Sequence, residues 1–531
     1  MQAQAKPRFR IGSDGTNARP VQVPAIHGRT SAHYMRGNES PFFFSWTPSL
    51  RDQRDDVSAS YIEAAARAVD GLQNSGWLAG AVEQATAVTV GNGLRLASKP
   101  EFDVLGWTTD EAGSWARTVE RRFEGWADNP IECDAAGKHN MGQLARSVLM
   151  SYFSHGEALG LLPAVRRRVS RTKTKVKLLP AHKLTQDGDN IRMFQGVLMD
   201  DWGFPKGYRL RLKIGSDYED TVDVPARDSF GRPQVFHIFD GLPDQVRGIT
   251  PMAPALRVVR QFDQLSDATL TAALIQAIFA ATIQSEAPTE QILSALQDEE
   301  EQRQGVGSPS IDGYLSAKTS WYKSTKIDLG RSGRIAHLFP GEKLEFHASK
   351  SPNATYEAFA KFLLREIARC LGMTFETLTG DYSGATYSSV RMATSETWPI
   401  ILARRQNIVG RFYQTVYEAW LEEEIEAGRL PFPGGIEAFL ENRDAVCRAE
   451  WRGPAKPQAD DLKTAKAHEV YKRLGIMSDE RISADLGFDW EDEYEQRDRE
   501  KKLRAKLGLP ETDTLQPAPA DPVADKLVTQ D

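Results

Sequence analysis

A helix, a short polar loop and a second long helix between residues 353 and 428 constrain this chain most. In the first helix the apolar residues recur at steps of three and four positions, which places them on one helical face. They are Tyr356, Phe359, Phe362, Leu363, Ile367 and Leu371. Gly372 is placed to end that helix. The pattern predicts an arm that holds a loop away from the body of the protein.

The loop at residues 379–387 is small and polar, with no aliphatic residue larger than alanine. A second helix is predicted from about Ser388 to Gly428, because apolar residues again follow helical spacing. Its Pro399 removes a backbone donor and crowds the preceding turn, so a kink is expected there and not an end. A long bent helix entered through such a loop makes the loop the first candidate for contact with a partner.

Composition limits the class of protein. The chain has 531 residues, enough for two or three domains. Its net charge of −7 argues against a surface that binds nucleic acid everywhere, because such binders are usually basic. Three separated cysteines without a CxxC pair indicate neither a disulfide framework nor a zinc cluster, and are typical of a reducing compartment. No signal-peptide core or apolar run long enough to span a bilayer occurs, so neither export nor membrane insertion is expected.

The first half of the chain predicts helices packed on short strands. Its first forty residues are expected to be mobile, apart from an aromatic anchor at residues 42–46 onto the chain's own body or a neighbouring subunit. Helices and a small mixed sheet are predicted between residues 61 and 237. A long Ala-rich helix follows at residues 251–283, and Thr250 is placed to cap it.

The rest of the chain falls into three parts. Residues 284–345 are acidic, then rich in glycine and serine, and predict an irregular α/β insertion between two long helices. Residues 456–509 predict a last helical unit, in which Gly475 ends one helix and Ser478 caps the next. From Pro510 the tail is rich in proline and alanine and is expected to be disordered.

No motif of catalysis or metal binding occurs in the sequence. There is no GxxxxGK[ST] phosphate loop, HExxH helix or GxSxG elbow. The histidines are dispersed, and His237 and His347 lie in strand-like runs that favour a structural role. The carboxylates form no spaced set for a metal or for acid–base catalysis. The sequence therefore predicts no catalytic residue, metal or cofactor, and favours a protein that is not an enzyme.

Several stretches, taken in their order, resemble the portal proteins of lambda-type tailed bacteriophages over about residues 61–509. Each stretch is short, and their shared order makes the resemblance specific. They are Gln84-Ala-Thr-Ala-Val-Thr-Val-Gly-Asn-Gly93, Leu179-Pro-Ala-His-Lys-Leu184, Gly248-Ile-Thr-Pro-Met-Ala-Pro254, Leu338-Phe-Pro-Gly-Glu342, Phe362-Leu-Leu-Arg-Glu-Ile-Ala-Arg-Cys-Leu-Gly372, Leu378-Thr-Gly-Asp-Tyr-Ser383, Tyr387-Ser-Ser-Val-Arg391 and residues 467–487.

The resemblance implies an α+β, mainly helical portal fold. Its parts would be a mobile N-terminal segment (1–56), a wing (57–250), a stem helix (251–283), an α/β clip (284–345), a second stem helix (346–372), a tunnel loop (373–389), a long kinked wing helix with the segment after it (388–455), a helical C-terminal crown (456–509) and a disordered tail (510–531). The resemblance also implies a ring, usually of about twelve subunits, at one capsid vertex. Double-stranded DNA would enter through this ring during packaging and leave through it at infection.

Site residues follow from the same resemblance. The tunnel loop would contact DNA through Thr379, Asp381, Tyr382, Ser383, Thr386 and Tyr387. A conduit must let a polyanion slide, and a strongly basic lining would retain phosphates. Asp381 among small hydroxyls would give a weakly interacting rim. Packing between subunits would use Leu256, Val259, Phe262, Leu270, Leu274 and Ile278.

Implied partners are further copies of the chain in the ring, DNA, the terminase large subunit, head-completion or adaptor proteins, and the major capsid protein with its scaffold, with no membrane. The protein would lie at the portal vertex of the virion, and in the host cytoplasm during assembly. Two other classes stay open: a metal-dependent nucleic-acid enzyme, and a capsid or tail protein without a channel. The first would need a carboxylate set, and the second would favour internal repeats or a dominant β-sandwich.

The most basic run of the chain lies at residues 166–177, where a β-hairpin tip is expected. A solvated loop would explain such a run, and contact with phosphate or capsid is the alternative. The cations concerned are Arg166, Arg167, Arg168, Arg171, Lys173 and Lys175.

Overall fold

The computed structural model describes residues 48–190, 192–213, 220–278, 281–285, 316, 319–320, 342–346, 354–457 and 461–509. The predictions for the first forty residues, for most of the clip and for the tail lie outside these residues. All elements below belong to the compact unit that begins at Gln53. The described chain is mainly helical with small antiparallel sheets, which confirms the α+β fold class.

The helices are, in chain order, α1 Gln53–Asn74, α2 Gly76–Val90, α3 Phe102–Leu105, α4 Thr109–Ala127, α5 Pro130–Cys133, α6 Met141–His155, α7 Ala253–Ile278, α8 Ala354–Leu371, α9 Phe375–Thr379, α10 Tyr387–Arg404, α11 Arg411–Glu426, α12 Gly435–Glu441, α13 Arg443–Val446, α14 Asp461–Arg473, α15 Asp479–Asp485 and α16 Trp490–Leu507. A π-helical segment, Arg405–Gly410, joins α10 to α11. Side-chain caps fix several helix starts: Thr108 and Glu111 form a capping box at α4, and Asn140 and Gln143 form one at α6.

The strands are β1 Arg95–Ser98, β2 Glu157–Leu161, β3 Lys177–Leu179, β4 Asp189–Asn190, β5 Met193–Phe194, β6 Val197–Met199, β7 Pro205–Leu212, β8 Asp220–Pro225, β9 Val235–Phe239, β10 Ala281–Ser285, β11 Glu342–Phe346 and β12 Ala449–Arg452. Strands β4 to β8 form an antiparallel meander, and β2 lies between β3 and β9 in a three-stranded antiparallel sheet. The predicted small mixed sheet is therefore wrong, because the described strands of this region pair only antiparallel. Strand β1 pairs with β12, which ties the first part of the chain to the segment after α11.

The main core lies where α2, α4, α6 and α11 meet, next to the three-stranded sheet. Aromatic rings dominate its centre. Phe123 of α4 lies 5.1 to 5.7 Å, between ring centroids, from Trp126, Tyr417, Trp420 and Trp451. Because large aromatic side chains bury the most apolar area, these contacts hold α4, α11 and β12 together.

The two long helices predicted as the stem, α7 and α8, pack on each other, but α7 is shorter than predicted. It ends at Ile278, and Ile283 lies in β10 opposite Leu344 of β11. The β-branched residues Thr282 and Ile283 suit a strand, and the partner strand lies far along the sequence. The helical spacing of apolar residues therefore predicted a helix that extends past the observed boundary at Ile278.

The second long helix runs through Pro399, so that proline does not end it. The regular helix changes instead at the π-helical segment after Arg404, and α11 then continues to Glu426. The segment predicted as a kinked wing helix and its continuation, residues 388–455, also contains the short helices α12 and α13 and the strand β12. The last helical unit agrees closely with the prediction: Gly475 has φ of 70°, and the Ser478 hydroxyl accepts from the Arg481 amide.

Candidate nucleic-acid interface

The loop before α10 is shorter than the predicted 373–389. Thr374 caps the short helix α9, and Gly380 ends it in the left-handed conformation, with φ of 68°. The irregular segment is therefore residues 380–386, called here the tip loop. A glycine is needed at 380 because other residues rarely adopt positive φ. The sequence did not predict α9, because a helix of five residues is too short to show helical periodicity in its apolar residues.

Asp381 fixes the shape of the tip loop. One of its carboxylate oxygens accepts hydrogen bonds from the Ser383 amide at 3.0 Å and the Ser383 hydroxyl at 2.5 Å. The other oxygen lies 3.4 Å from Nζ of Lys361 on α8. The hydrogen bonds from Ser383, together with Lys361, lower the pKa of Asp381. The carboxylate is therefore ionised near neutral pH and partly offset by Lys361, a partner that no local sequence signal identified.

The tip loop leads directly into a capped helix. The Thr386 hydroxyl accepts from the Ser389 amide at 3.2 Å, and the Ser389 hydroxyl accepts from the Thr386 amide at 2.9 Å. The adjacent side chains face solvent in the isolated chain: Tyr382 is 52% exposed and Tyr387 is 44% exposed. Thr386 and Ser383 are also exposed, whereas Thr379 is half-buried and donates to the Phe375 carbonyl.

Helix α10 has 18 residues, yet none of them is buried in the described chain. Lysines from the C-terminal unit lie beside it. Nζ of Lys463 lies 5.2 Å from the centroid of the Tyr387 ring, and Lys456 donates to the Ser395 hydroxyl at 3.0 Å. Both lysines are more than sixty positions away in sequence, so periodicity and spacing could not have placed them here.

The six residues predicted to pack between subunits separate into two groups. Val259 and Phe262 are buried in the chain's own core, and Leu256 packs against that core. The prediction is therefore corrected at these three positions, because the first turns of α7 bury their apolar face against the chain's own core. Leu270 and Leu274 are 61% and 55% exposed. The side chain of Ile278 lies outside the described residues.

The basic run forms the predicted hairpin. Strands β2 and β3 are antiparallel, and residues 162–176 connect them. Arg166, Arg168, Arg171 and Lys173 are exposed. Lys175 is the exception, because it is fully buried and its Nζ donates to the carbonyls of Glu132 and Thr172. The predicted basic contact is therefore wrong for Lys175, which is held inside by backbone oxygens.

A buried ionic cluster holds the start of α7 against the three-stranded sheet. Glu157 accepts hydrogen bonds from Tyr61, from the Arg247 guanidinium and from the Gly248 amide, and lies 2.9 Å from Nε2 of His237. Burial alone would raise the pKa of Glu157, but Arg247 and His237 outweigh it and hold the pKa far below its usual range. The structural role predicted for His237 is confirmed.

Contacts next to this cluster explain the Gly248-Ile-Thr-Pro stretch. The Thr250 hydroxyl donates to the Phe153 carbonyl at 2.5 Å and accepts from the Met252 amide at 3.1 Å. At Gly156 a side chain would lie 2.0 Å from the Ile249 backbone, so only glycine fits this approach. The sequence suggested the cap at Thr250 but not the Glu157–Arg247 pair, whose members are 90 positions apart.

Among the residues the structure describes, no three His, Cys, Asp or Glu side chains are grouped as metal ligands. None of the helices described above combines the length and the apolar character needed to cross a bilayer.

Comparison with known proteins gives concordant matches. The family model for phage portal proteins of the lambda family matches residues 41–405. The portal protein of Escherichia phage N15 is 26% identical over 472 residues, covering 87% of this chain and 88% of the relative. Portal protein B of Escherichia phage lambda is 26% identical over 479 residues, covering 88% of each.

Solved structures give weaker likenesses. The neck of an empty gene transfer agent particle has a TM-score of 0.42 and 14% identity, covering 88% of this chain and 95% of the other. An HK97-family phage portal protein from Corynebacterium diphtheriae has a TM-score of 0.28 and 11% identity, covering 67% and 89%. Scores this low do not establish a shared fold, so the assignment rests on the sequence matches.

These matches define the class: a phage portal protein, a structural and non-enzymatic component of the virion that forms the capsid vertex connector and channel for DNA packaging. The chain belongs to the lambda family of phage portal proteins, whose model matches well over half of it. The family implies a ring of identical subunits in the portal and neck region of the virion.

Proposed function

We propose that the tip loop and the first part of α10 line the narrowest part of the DNA channel in a ring of about twelve subunits, and that the ring serves both packaging and ejection. The observation behind this proposal is that α10 buries none of its residues in the isolated chain. A helix gains most of its stability from burying an apolar face. Helix α10 has 18 residues and buries no such face within its own chain. In this proposal it gains stability from contacts with neighbouring subunits around a shared axis.

The electrostatics of the tip loop support sliding contact with DNA. Asp381 is the one charged residue between positions 379 and 390, and Lys361 offsets it. Each cation that neutralises a phosphate adds strongly to DNA affinity. A lining of hydroxyls and an offset carboxylate therefore offers the phosphate backbone no strong binding site. Tyr382 and Tyr387 would provide uncharged contact surface.

The finer assignments of wing, stem, clip and crown belong to the same proposal. Helices α7 and α8 would form the stem, and α14 to α16 the crown. Apolar side chains exposed on the crown, including Leu474 at 63% and Ile476 at 66%, support packing against neighbouring crowns. Terminase, adaptor proteins and the major capsid protein with its scaffold are the partners that this function requires.

A charge introduced at Gly384 tests the role of the tip loop. A side chain at Gly384 meets no atom within 4 Å and requires no positive φ, so Gly384→Lys should fold normally. About twelve added cations around the channel should retain phosphates and slow packaging at low salt, with relief as salt rises. Gly384→Gln is the matched neutral control. Packaging in vitro, measured as DNA protected from nuclease over time, should fall for the lysine variant alone.

Two results would contradict the proposal. Equal packaging by both variants, in rings of normal size, would place the tip loop away from DNA. Failure of either variant to form rings would make the tip loop an assembly contact.

A further inference from the structure

The loop between β2 and β3, residues 162–176 and called here the basic loop, places its cations on one face. From Arg171 to Thr174 exposed and buried residues alternate, the period of extended chain. Arg171 and Lys173 face outward, while Thr172 and Thr174 face inward. Across the hairpin, the Val165 amide donates to the Lys173 carbonyl at 2.7 Å. Arg166 and Arg168 are also exposed, so the outer face is strongly positive.

Hydrogen bonds to half-buried Glu132 and from buried Lys175 hold the basic loop in place. The Glu132 carboxylate accepts from the Arg171 amide at 2.8 Å and from the Ser170 hydroxyl at 2.8 Å. Nζ of Lys175 lies inside the loop and donates to the Ser170 hydroxyl at 2.7 Å. Burial lowers the pKa of Lys175 although Glu132 and Glu423 oppose the shift. The buried Lys175 ammonium group and its hydrogen-bond partners thus stabilise the inside of the basic loop.

A second carboxylate anchors the basic loop to α11. Glu423 accepts from the amides of Lys173 at 2.6 Å and Thr174 at 2.7 Å. Both nearby carboxylates, Glu132 and Glu423, are therefore occupied by backbone amides. Their ion pairs among the described residues are with Lys175 and Arg429, and not with the outer cations.

The outer cations have no counter-ion in the described chain. Within the part of the protein that the structure describes, the ion pair of the basic loop is that of buried Lys175 with Glu132. No acidic residue occurs between Glu157 and Asp187. Four exposed cations on a hydrogen-bonded backbone thus form no ion pair with any described residue, in a protein whose net charge is −7. The ordering of the backbone lowers the entropic cost of binding a partner here.

The chemistry of this face fits phosphate better than an acidic protein surface. Three of its four cations are arginines, whose planar guanidinium matches phosphate geometry. Protein interfaces have an apolar centre. The basic loop exposes one large apolar side chain, Val169, and no aromatic residue.

We infer that the basic loop is a second contact for duplex DNA, independent of sequence and distinct from the tip loop, made through Arg166, Arg168, Arg171 and Lys173. In the assembled ring this loop repeats around the axis. The ring therefore holds the phosphate backbone of DNA that is not threaded through the channel. This contact does not depend on the tip loop lining the channel.

Covalently closed circular DNA provides the test, because a closed circle has no end to thread. Binding of assembled rings to relaxed circles is measured by filter retention over a series of salt concentrations. The variant changes Arg166, Arg168, Arg171 and Lys173 to glutamine. Its affinity should fall by about tenfold or more at low salt, and the slope of log affinity against log salt by about one for each cation that contacts a phosphate.

A control removes the same charge elsewhere: Lys466→Gln, Arg473→Gln, Arg497→Gln and Lys506→Gln, all exposed on α14 and α16. The inference predicts that this control retains most of the wild-type affinity and slope. Equal losses in both variants, or no loss in the first, would overturn it. Unchanged DNA binding with loss of the protein from procapsids would assign the basic loop to an acidic capsid surface. Loss of ring formation would assign it to a neighbouring subunit.

Discussion

Glu120 shows at the scale of a single residue how burial governs a carboxyl group in this protein. Its Oε1 accepts from the Ser98 amide at 2.6 Å, where β1 meets α4. Burial nevertheless raises its pKa to about 7, and Asp489 of the C-terminal unit adds to the increase. In the unfolded chain the pKa of a glutamate is about 4.3. The folded protein therefore holds a proton that the unfolded chain releases between these pH values.

Glu120→Gln should consequently change the pH dependence of stability. The wild type binds more protons when folded, so its free energy of unfolding falls as pH rises from about 4.3 to about 7. Glutamine can still accept from Ser98 but does not titrate. At pH 8 the variant should be more stable by about 1–3 kcal/mol, and near pH 4 the two should be similar. Urea unfolding at both pH values measures this difference.

Glu63→Gln is the control, since Glu63 is exposed and pairs only with Arg67 on the same helix among the described residues. It should change stability by less than about 0.5 kcal/mol at either pH. A Glu120→Gln variant that is less stable than the wild type at pH 8 would contradict the account of burial.

The junction around Arg405 determines how the helices meet at the scale of elements. Arg405 begins the π-helical segment, and its guanidinium donates to the carbonyls of Thr89 at 3.0 Å, Val88 at 3.3 Å and Pro454 at 3.0 Å. The first two carbonyls end α2, where the helix dipole favours a cation. Burial lowers the pKa of Arg405 to about 10, so it stays charged at neutral pH. One side chain thus joins α2, the long helix and the segment after β12.

Arg405→Met should loosen this junction. It keeps apolar volume but leaves three carbonyls without their donor, at a cost of about 1–3 kcal/mol for each buried group left unpaired. Hydrogen exchange should quicken in residues 85–90 and 449–454. Arg411→Met is the control, because Arg411 is exposed and its hydrogen bond to the Phe239 carbonyl is long, at 3.5 Å. Equal hydrogen exchange in both variants would show that Arg405 does not hold this junction together.

The sequence predicted those elements whose boundaries are fixed by neighbouring residues. Gly475 ends one helix and Ser478 begins the next, each through a contact with a residue only three positions away. Their caps could therefore be predicted from the sequence. The end of α7 depends instead on pairing with β11, far along the chain. Buried Lys175 and the Lys361–Asp381 contact also depend on tertiary packing. Residue types could not indicate which lysine turns inward.

At the scale of the whole molecule, exposed apolar residues on α7 and α8 are relevant to ring assembly. Leu270 and Leu274 of α7 are more than half exposed, as are Phe359 and Phe362 of α8. Contiguous exposed apolar residues mark protein contacts more often than free surface. We therefore expect neighbouring subunits to cover this exposed apolar surface of α7 and α8.

Leu270→Ser with Leu274→Ser should weaken the ring without unfolding the subunit. Exposed positions contribute little to the stability of the chain itself, within about 0.5 kcal/mol each. Sedimentation velocity should show a shift from rings to smaller species. The matched control is Ile62→Ser with Val104→Ser, whose side chains are 58% and 61% exposed on other helices. Rings of normal stability in the first variant would remove α7 from the subunit interface.

The central claim is that many copies of the tip loop meet around one axis. Electron cryomicroscopy of the assembled ring at side-chain resolution tests it most directly, by the distance of residues 380–384 from the symmetry axis. These residues, Tyr382 among them, are expected to line the narrowest part of an open channel that is wide enough for duplex DNA. Residues 380–384 on the outer surface of the ring, away from the axis, would contradict it.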